Sequence, residues 1–262
     1  MNATRHPDRW LRRYRVRAGA SLRLLCLPHA GGAPAAYRSW DALLPEAVEL
    51  LVACYPGRED RRSDAVPGSI HALADGIALA VAPLLDRPWL AFGHSMGAVV
   101  AYETVQQLRR LGHPEPLALY VSGRQAPDLG LGGDVHTRDD DGLVDELVRL
   151  GGTHAEILAD PDMRAAVLDM VRGDYRMAET YRPRPGRPLS CPIGVLRGTD
   201  DPELDETGAA AWSQFTTGPL TTRVFPGDHF YLGPRRAAVV SAVLEGADPA
   251  LVRQHPPWMD MP

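Results

Sequence analysis

One short stretch, Trp89-Leu-Ala-Phe-Gly-His-Ser-Met-Gly-Ala98, most constrains what this chain can fold into. An apolar run ends at Gly93-His94-Ser95-Met96-Gly97, and apolar residues then recur with helical period. That order of patterns reads as strand, sharp turn, helix. Glycine is needed at 93 and 97 because a Cβ would collide where strand and helix nearly touch. A serine in such a turn is held in a strained conformation that lifts its Oγ clear of the strand end. At a helix N-terminus, free N–H groups and the helix dipole also favour negative charge developing beside it. A chain with this glycine and serine content would contain about 0.08 G-x-S-x-G matches by chance. The competing reading is a serine in an ordinary strand-to-helix loop, so the rest of the chain must supply an acid, a base and anion-stabilising donors.

At 262 residues the chain can bury a substantial core and suits a single domain spanning 1–262. No apolar run is long enough to span a bilayer, so no membrane association is expected. Arg5, Arg9, Arg12, Arg13, Arg15 and Arg17 crowd the N-terminus without an apolar core behind them. No export signal is read there, and a cytoplasmic protein is expected. Cys26, Cys54 and Cys191 are odd in number and lack metal-ligand spacing, which points to buried reduced thiols and no metal site. A net charge of −5 argues against nucleic-acid binding. All 28 basic residues are arginine, which leaves this chain no lysine for a Schiff base or a phosphate-binding loop.

Taken in order, Ser21–Leu27 reads as a strand running into the glycine-rich turn Pro28-His29-Ala30-Gly31-Gly32. A helix is expected over Pro34–Leu44, with Pro34 in its first turn, and a strand over Val48–Cys54. Ile70, Leu73, Ala74, Ile77, Ala78, Val81 and Leu85 share one helical face, with Ser69 as N-cap. The helix after Ser95 should run to about Leu111 and stop at Gly112. Leu117–Val121 is almost wholly apolar, as a strand buried on both faces should be. From about 128 to 186 the strand signal disappears, and helical stripes replace it at Leu143, Val144, Leu147 and Val148 and at Met163–Ala178. Asp160 and Pro161 form a helix start for the second stripe. Strands resume at Ile193–Leu196 and Leu220–Phe225, with helices over Glu206–Phe215 and Arg235–Leu244. Beta-alpha alternation of this kind gives a parallel sheet covered on both faces.

Carboxylates at Asp200 and Asp201 after a late strand, and His229 after the last strand, complete the chain order Ser…Asp…His. This arrangement resembles the α/β-hydrolase fold: a mostly parallel central sheet, helices on both faces, and residues 128–186 as a helical lid insertion. The resemblance implies Ser95 as nucleophile and His229 as the base that takes its proton. The acid in such hydrolases stands three residues after the glycine, which selects Asp201 over Asp200. The backbone N–H groups of Ala30 and Met96 match the oxyanion hole. Met163, Met170 and Met177 would suit a pliable acyl-binding wall, or would simply pack their helix onto the core.

More specific pieces narrow the resemblance. Leu27-Pro-His-Ala-Gly-Gly32, Tyr55-Pro-Gly-Arg58, Gly93-His-Ser-Met-Gly97, Val121-Ser-Gly-Arg124, Gly198-Thr-Asp-Asp-Pro202 and Gly227-Asp-His-Phe230 occur in the order of the type II thioesterases of polyketide and nonribosomal peptide synthesis. What this resemblance implies is hydrolysis of acyl groups from the phosphopantetheine arm of an acyl or peptidyl carrier protein. A thioester has weak resonance and a good leaving group, so no cofactor or metal is expected, and the chain is expected to be a monomer. Tyr55 departs from the leucine common before the proline. Arg58, Arg61 and Arg124, on loops expected near the entrance, are candidates for docking an acidic carrier. A general carboxylesterase or acyltransferase of the same fold, or an inactive hydrolase fold kept for binding, are the alternatives.

Overall fold

Apolar runs that are buried on both sides build the middle of the molecule. The computed structural model describes residues 7–129, 132–151 and 161–252. Strands β1 (Leu11–Arg12), β2 (Leu22–Leu27), β3 (Val48–Ala53), β4 (Trp89–His94), β5 (Leu119–Ser122), β6 (Ile193–Gly198) and β7 (Leu220–Phe225) form one sheet in the order β1-β3-β2-β4-β5-β6-β7. Every pairing is parallel except β1 with β3. Every residue of β2, β3, β4 and β5 is buried, which is why these segments lack polar alternation.

Helices α2 (Ile70–Val81) and α3 (Met96–Arg110) cover one face of the sheet, packing on Leu25, Leu27, Leu51 and Ala91. On the other face, α7 (Arg236–Leu244) and a 3₁₀ segment at Pro34–Trp40 pack on Leu24, Cys26, Leu50 and Phe92. Ser69 caps α2 by accepting the Ala72 N–H at 3.2 Å, and Gly112 takes φ 81° just past the end of α3. Short helices α1 (Pro7–Trp10), α6 (Glu206–Ala210) and α8 (Pro249–Val252) complete the periphery. Among the described residues no helix is long and apolar enough to cross a membrane. The three cysteines are free and buried.

Two expected helices differ in kind. Pro34–Trp40 is 3₁₀ rather than α, and its i and i+3 side chains eclipse, so Tyr37 and Trp40 enter the core from one side. The expected helix over Glu206–Phe215 is α6 followed by a 3₁₀ turn at Ala211–Phe215, which brings Trp212 into the core. Strand β1 and α1 leave no periodic trace in the sequence, because two and four residues are too short to display one.

Between β5 and β6 the chain leaves the sheet and forms α4 (Asp140–Arg149) and α5 (Pro161–Thr180). Val135, Leu143, Leu147, Leu168 and Val171 make a small core of their own there. Asp160, the expected cap of α5, lies outside the described residues, as does the side chain of Met163. Met177 is buried in the main core, while Met170 lines a separate groove.

Candidate active site

Backbone strain marks the junction of β4 and α3. Ser95 has φ 54° and ψ −120°, a left-handed conformation that non-glycine residues rarely hold, and its N–H donates to Ser122 O at 2.7 Å. Both flanking glycines are required by contact: a Cβ on Gly93 would overlap the Gly97 carbonyl, and one on Gly97 would overlap Leu27 O at the end of β2. Ser95 is half-buried at the N-terminus of α3 and lines a cleft of about 460 Å³ together with Ala30, Met96, Arg124, Tyr175 and Glu179.

The carboxylate and the imidazole expected as acid and base meet close to the same turn. His229 Nδ1 and Asp201 Oδ1 are 2.9 Å apart, with both side chains almost completely buried. The same Asp201 oxygen accepts the Glu203 N–H at 2.9 Å. His229 Nε2 is buried and makes no hydrogen bond among the described residues, Ser95 Oγ included. Such bonds are commonly loose before substrate binds and tighten in the reacting complex. Asp200, one residue away, is exposed and accepts the Thr199 hydroxyl at 2.9 Å.

Two loops far apart in sequence are zipped together to make this pair. The Asp200 N–H donates to Gly227 O at 2.9 Å, and the Gly227 N–H donates to Thr199 Oγ1 at 3.2 Å. Gly198 has no room for a Cβ, which would overlap the carbonyls of Gly227 and Asp228. Gly123, at φ +61° just past the end of β5, does the same service. A Cβ there would stand 2.9 Å from His94 Cε1, 3.0 Å from His229 Cε1 and 3.2 Å from Asp201 Oδ2. The Val121-Ser-Gly-Arg124 motif was legible in the sequence, but only the fold shows why its glycine matters.

His94 lies against His229, with ring centroids 4.8 Å apart, and His29 packs on His94 at 5.8 Å. Burial pushes His94 well below the ordinary histidine value and His29 down to about 4, with neighbouring His229 adding to both shifts. Both rings are therefore neutral at pH 7. His94 Nδ1 bonds Ser122 Oγ at 2.9 Å, and that oxygen pairs with Tyr231 OH at 2.6 Å.

Two amides of the glycine-rich loop after β2 are tied, one within the loop and one to α5. Gly32 N–H donates to His29 O at 2.9 Å, and Gly31 N–H donates to Asp174 Oδ2 on α5 at 2.7 Å. Arg58 also pairs with Asp174 Oδ2, and Tyr55 OH donates to Pro28 O at 2.9 Å. Arg58 and Arg61 are thus buried rather than displayed at the entrance, at 3% and 5% exposure. Arg61 stacks on Trp10 at 4.1 Å and donates to Cys54 O. Arg124 is half-buried in the cleft wall, where desolvation lowers its pKa. The expectation of a docking rim is corrected for Arg58 and Arg61, while Arg124 stays at the cleft that Ser95 lines. Neither Met170 nor Met177 lines the Ser95 cleft.

Comparison with known proteins places this geometry in a family. The model of the thioesterase domain matches residues 22–245. The chain belongs to the thioesterase family. This thioesterase is 42% identical over 241 residues to a probable cadicidin biosynthesis thioesterase of Streptomyces griseus, spanning 92% of this chain and 66% of that protein. It is 39% identical over 254 residues to thioesterase PikA5 of Streptomyces venezuelae, spanning 94% and 90% of the two chains. The solved type II thioesterase BorB, from the borrelidin biosynthetic cluster, superimposes with a TM-score of 0.84 at 41% identity, covering 92% of this chain and 98% of that one. The thioesterase is therefore a thioester hydrolase on an α/β-hydrolase sheet.

Proposed function

We propose that this thioesterase, acting as a cytoplasmic monomer, releases acyl groups from the phosphopantetheine arm of acyl or peptidyl carrier proteins and so clears aberrant or stalled chains in polyketide or nonribosomal peptide synthesis. The relatives named for cadicidin and borrelidin biosynthesis support that setting. The observation that carries the catalytic part is the buried Asp201–His229 hydrogen bond beside the strained Ser95 turn.

In this reading Ser95 Oγ attacks the thioester carbonyl carbon while His229 Nε2 takes the hydroxyl proton. Asp201, hydrogen-bonded to Nδ1, holds the imidazole orientation and stabilises its cation. Negative charge on the former carbonyl oxygen is met by the N–H groups of Ala30 and Met96, each such donor contributing on the order of 10²–10³ in rate. Collapse breaks the C–S bond, and the pantetheine sulfur leaves with the proton held by His229. Water, deprotonated by His229, then attacks the acyl-enzyme, and the free acid departs as Ser95 regains its proton. A thioester has weak resonance and a good leaving group, so this machinery suffices without a cofactor. Residues 128–186 act as the lid over the cleft, since α5 supplies Tyr175, Ala178 and Glu179 to its lining.

The test compares purified enzyme on an acyl-carrier thioester and on the matching simple ester. A higher kcat/KM on the carrier substrate, with free acid as product, is the expected outcome; preference for the ester would overturn the carrier assignment. Ser95→Ala and His229→Ala should each lower kcat by at least about 10³-fold. A fluorophosphonate should label Ser95 in the parent enzyme alone.

A further inference from the structure

The Arg58–Asp174 pair is costly to bury and is not the arrangement that stability alone would favour. Asp174 is fully buried and Arg58 nearly so. Asp174 Oδ1 has no hydrogen-bond partner among the described residues, so the carboxylate is not even fully compensated. Apolar side chains of similar volume generally hold such a place as well as a buried ion pair, or better. What the pair does do is grip the glycine-rich loop. Its Oδ2 accepts the Gly31 N–H at 2.7 Å, and Arg58 Nε donates to Gly32 O at 3.4 Å. Helix α5 leans on the loop at the same point: a Cβ on Gly31, at φ +75°, would come within 2.7 Å of Val171 Cγ2.

The geometry points to Asp174 as a positioning residue: with Arg58 behind it, its carboxylate fixes the Ala30–Gly31 peptide and thereby aims the N–H of Ala30 at the oxyanion formed on Ser95. This rests on the proposed role of Ala30. Two consecutive peptide planes are involved, separated only by the two backbone dihedrals of Ala30. The first carries the Ala30 N–H on one edge and His29 O on the other, and His29 O is held by Gly32 N–H at 2.9 Å. The second carries the Gly31 N–H, held by Asp174. With both planes tied, the Ala30 N–H has one direction left to it. The helix that holds the second tie belongs to the insertion, so the oxyanion loop is set by the same element that lines the cleft.

The decisive comparison is between Asp174→Leu/Arg58→Met, which removes both charge and acceptor, and Asp174→Asn/Arg58→Met, which removes charge but keeps a carbonyl for Gly31 N–H. The leucine pair should melt at or above the parent Tm and keep KM within about threefold, yet lose roughly 10²-fold in kcat, the scale of one oxyanion donor. The asparagine pair should recover to within about fivefold of the parent. A folded leucine pair with kcat within about threefold of the parent overturns the proposal, as does an asparagine pair no better than the leucine one. If the leucine pair does not fold, Asp174→Val/Arg58→Met takes its place against the same asparagine pair. Replacing the His29–Ala30 amide by an ester separates the role of Ala30 from that of Asp174. Unchanged kcat there means Ala30 is not a donor and the underlying reading fails. A large loss there, together with an active leucine pair, means that Asp174 alone has been misassigned.

Discussion

Neighbouring carboxylates at 200 and 201 have opposite surroundings, and the difference decides which can serve the base. Asp201 is buried and bonded to His229 Nδ1 and the Glu203 N–H, whereas Asp200 sits in solvent on the Thr199 hydroxyl. Asp201→Asn keeps the shape but presents the wrong hydrogen-bond polarity to the ring, so kcat should fall by about 10²–10⁴. Asp200→Asn should stay within about threefold of the parent. Steady-state kinetics on one thioester substrate checks both, and a larger loss for Asp200→Asn would reverse the assignment. Tyr55, the residue that departs from its usual type, contributes a hydroxyl hydrogen bond to Pro28 O that leucine could not make.

At the scale of elements, the site is assembled from loop ends held together by close backbone approaches. β2 and α3 meet at Gly97, β6 and the loop after β7 meet at Gly198, and α5 meets the glycine-rich loop at Gly31. Gly97→Ala should therefore push α3 off the end of β2. We expect several kcal/mol of destabilisation, a drop of roughly 10 °C or more in Tm. Gly19→Ala, where a Cβ meets nothing within 4 Å, is the matched control and should leave Tm within about 2 °C. Thermal unfolding followed by circular dichroism distinguishes them. Equal melting of the two variants would mean that the strand–helix contact at Gly97 relaxes freely.

Across the whole molecule, two neutral histidines, His94 buried and His29 half-buried, tie stability to pH. Well above pH 6.5, the ordinary histidine value, folded and unfolded chains both hold His29 and His94 unprotonated, and their contribution is complete. As pH falls from 6.5 towards about 4, the unfolded chain takes up protons that folded His29 refuses, so stability declines through that window. His94, shifted further, keeps the decline going at lower pH. The Tm of the parent should thus fall on acidification, and His29→Gln should fall less steeply between pH 6.5 and 4.5. Parallel Tm-versus-pH curves would show that His29 is not a source of the acid sensitivity. Elsewhere the charges are tied into the frame. Arg23 and Glu49 face each other across β2 and β3, and the carboxylate also takes Arg13 and the Arg17 N–H.

Sequence alone determined the features that live within a few residues of one another. Strand runs buried on both faces, the Ser69 cap, the Gly112 stop and the glycine–serine–glycine turn each follow from local dihedral limits or from a short period. The order of serine, aspartate and histidine was legible for the same reason, since each follows a recognisable strand. Only the tertiary structure decided what lies opposite what. Arg58 is a docking candidate from sequence because it falls on a loop expected near the entrance, yet it pairs with a carboxylate 116 residues away. Asp174 sat unnoticed on a helix, and Gly123 sat in a motif without a task. Their roles come from contacts between elements brought together by the sheet order and by the path of the insertion. A local pattern records how a segment will turn and which face it will bury, but it does not name the partner that the rest of the chain brings to that face.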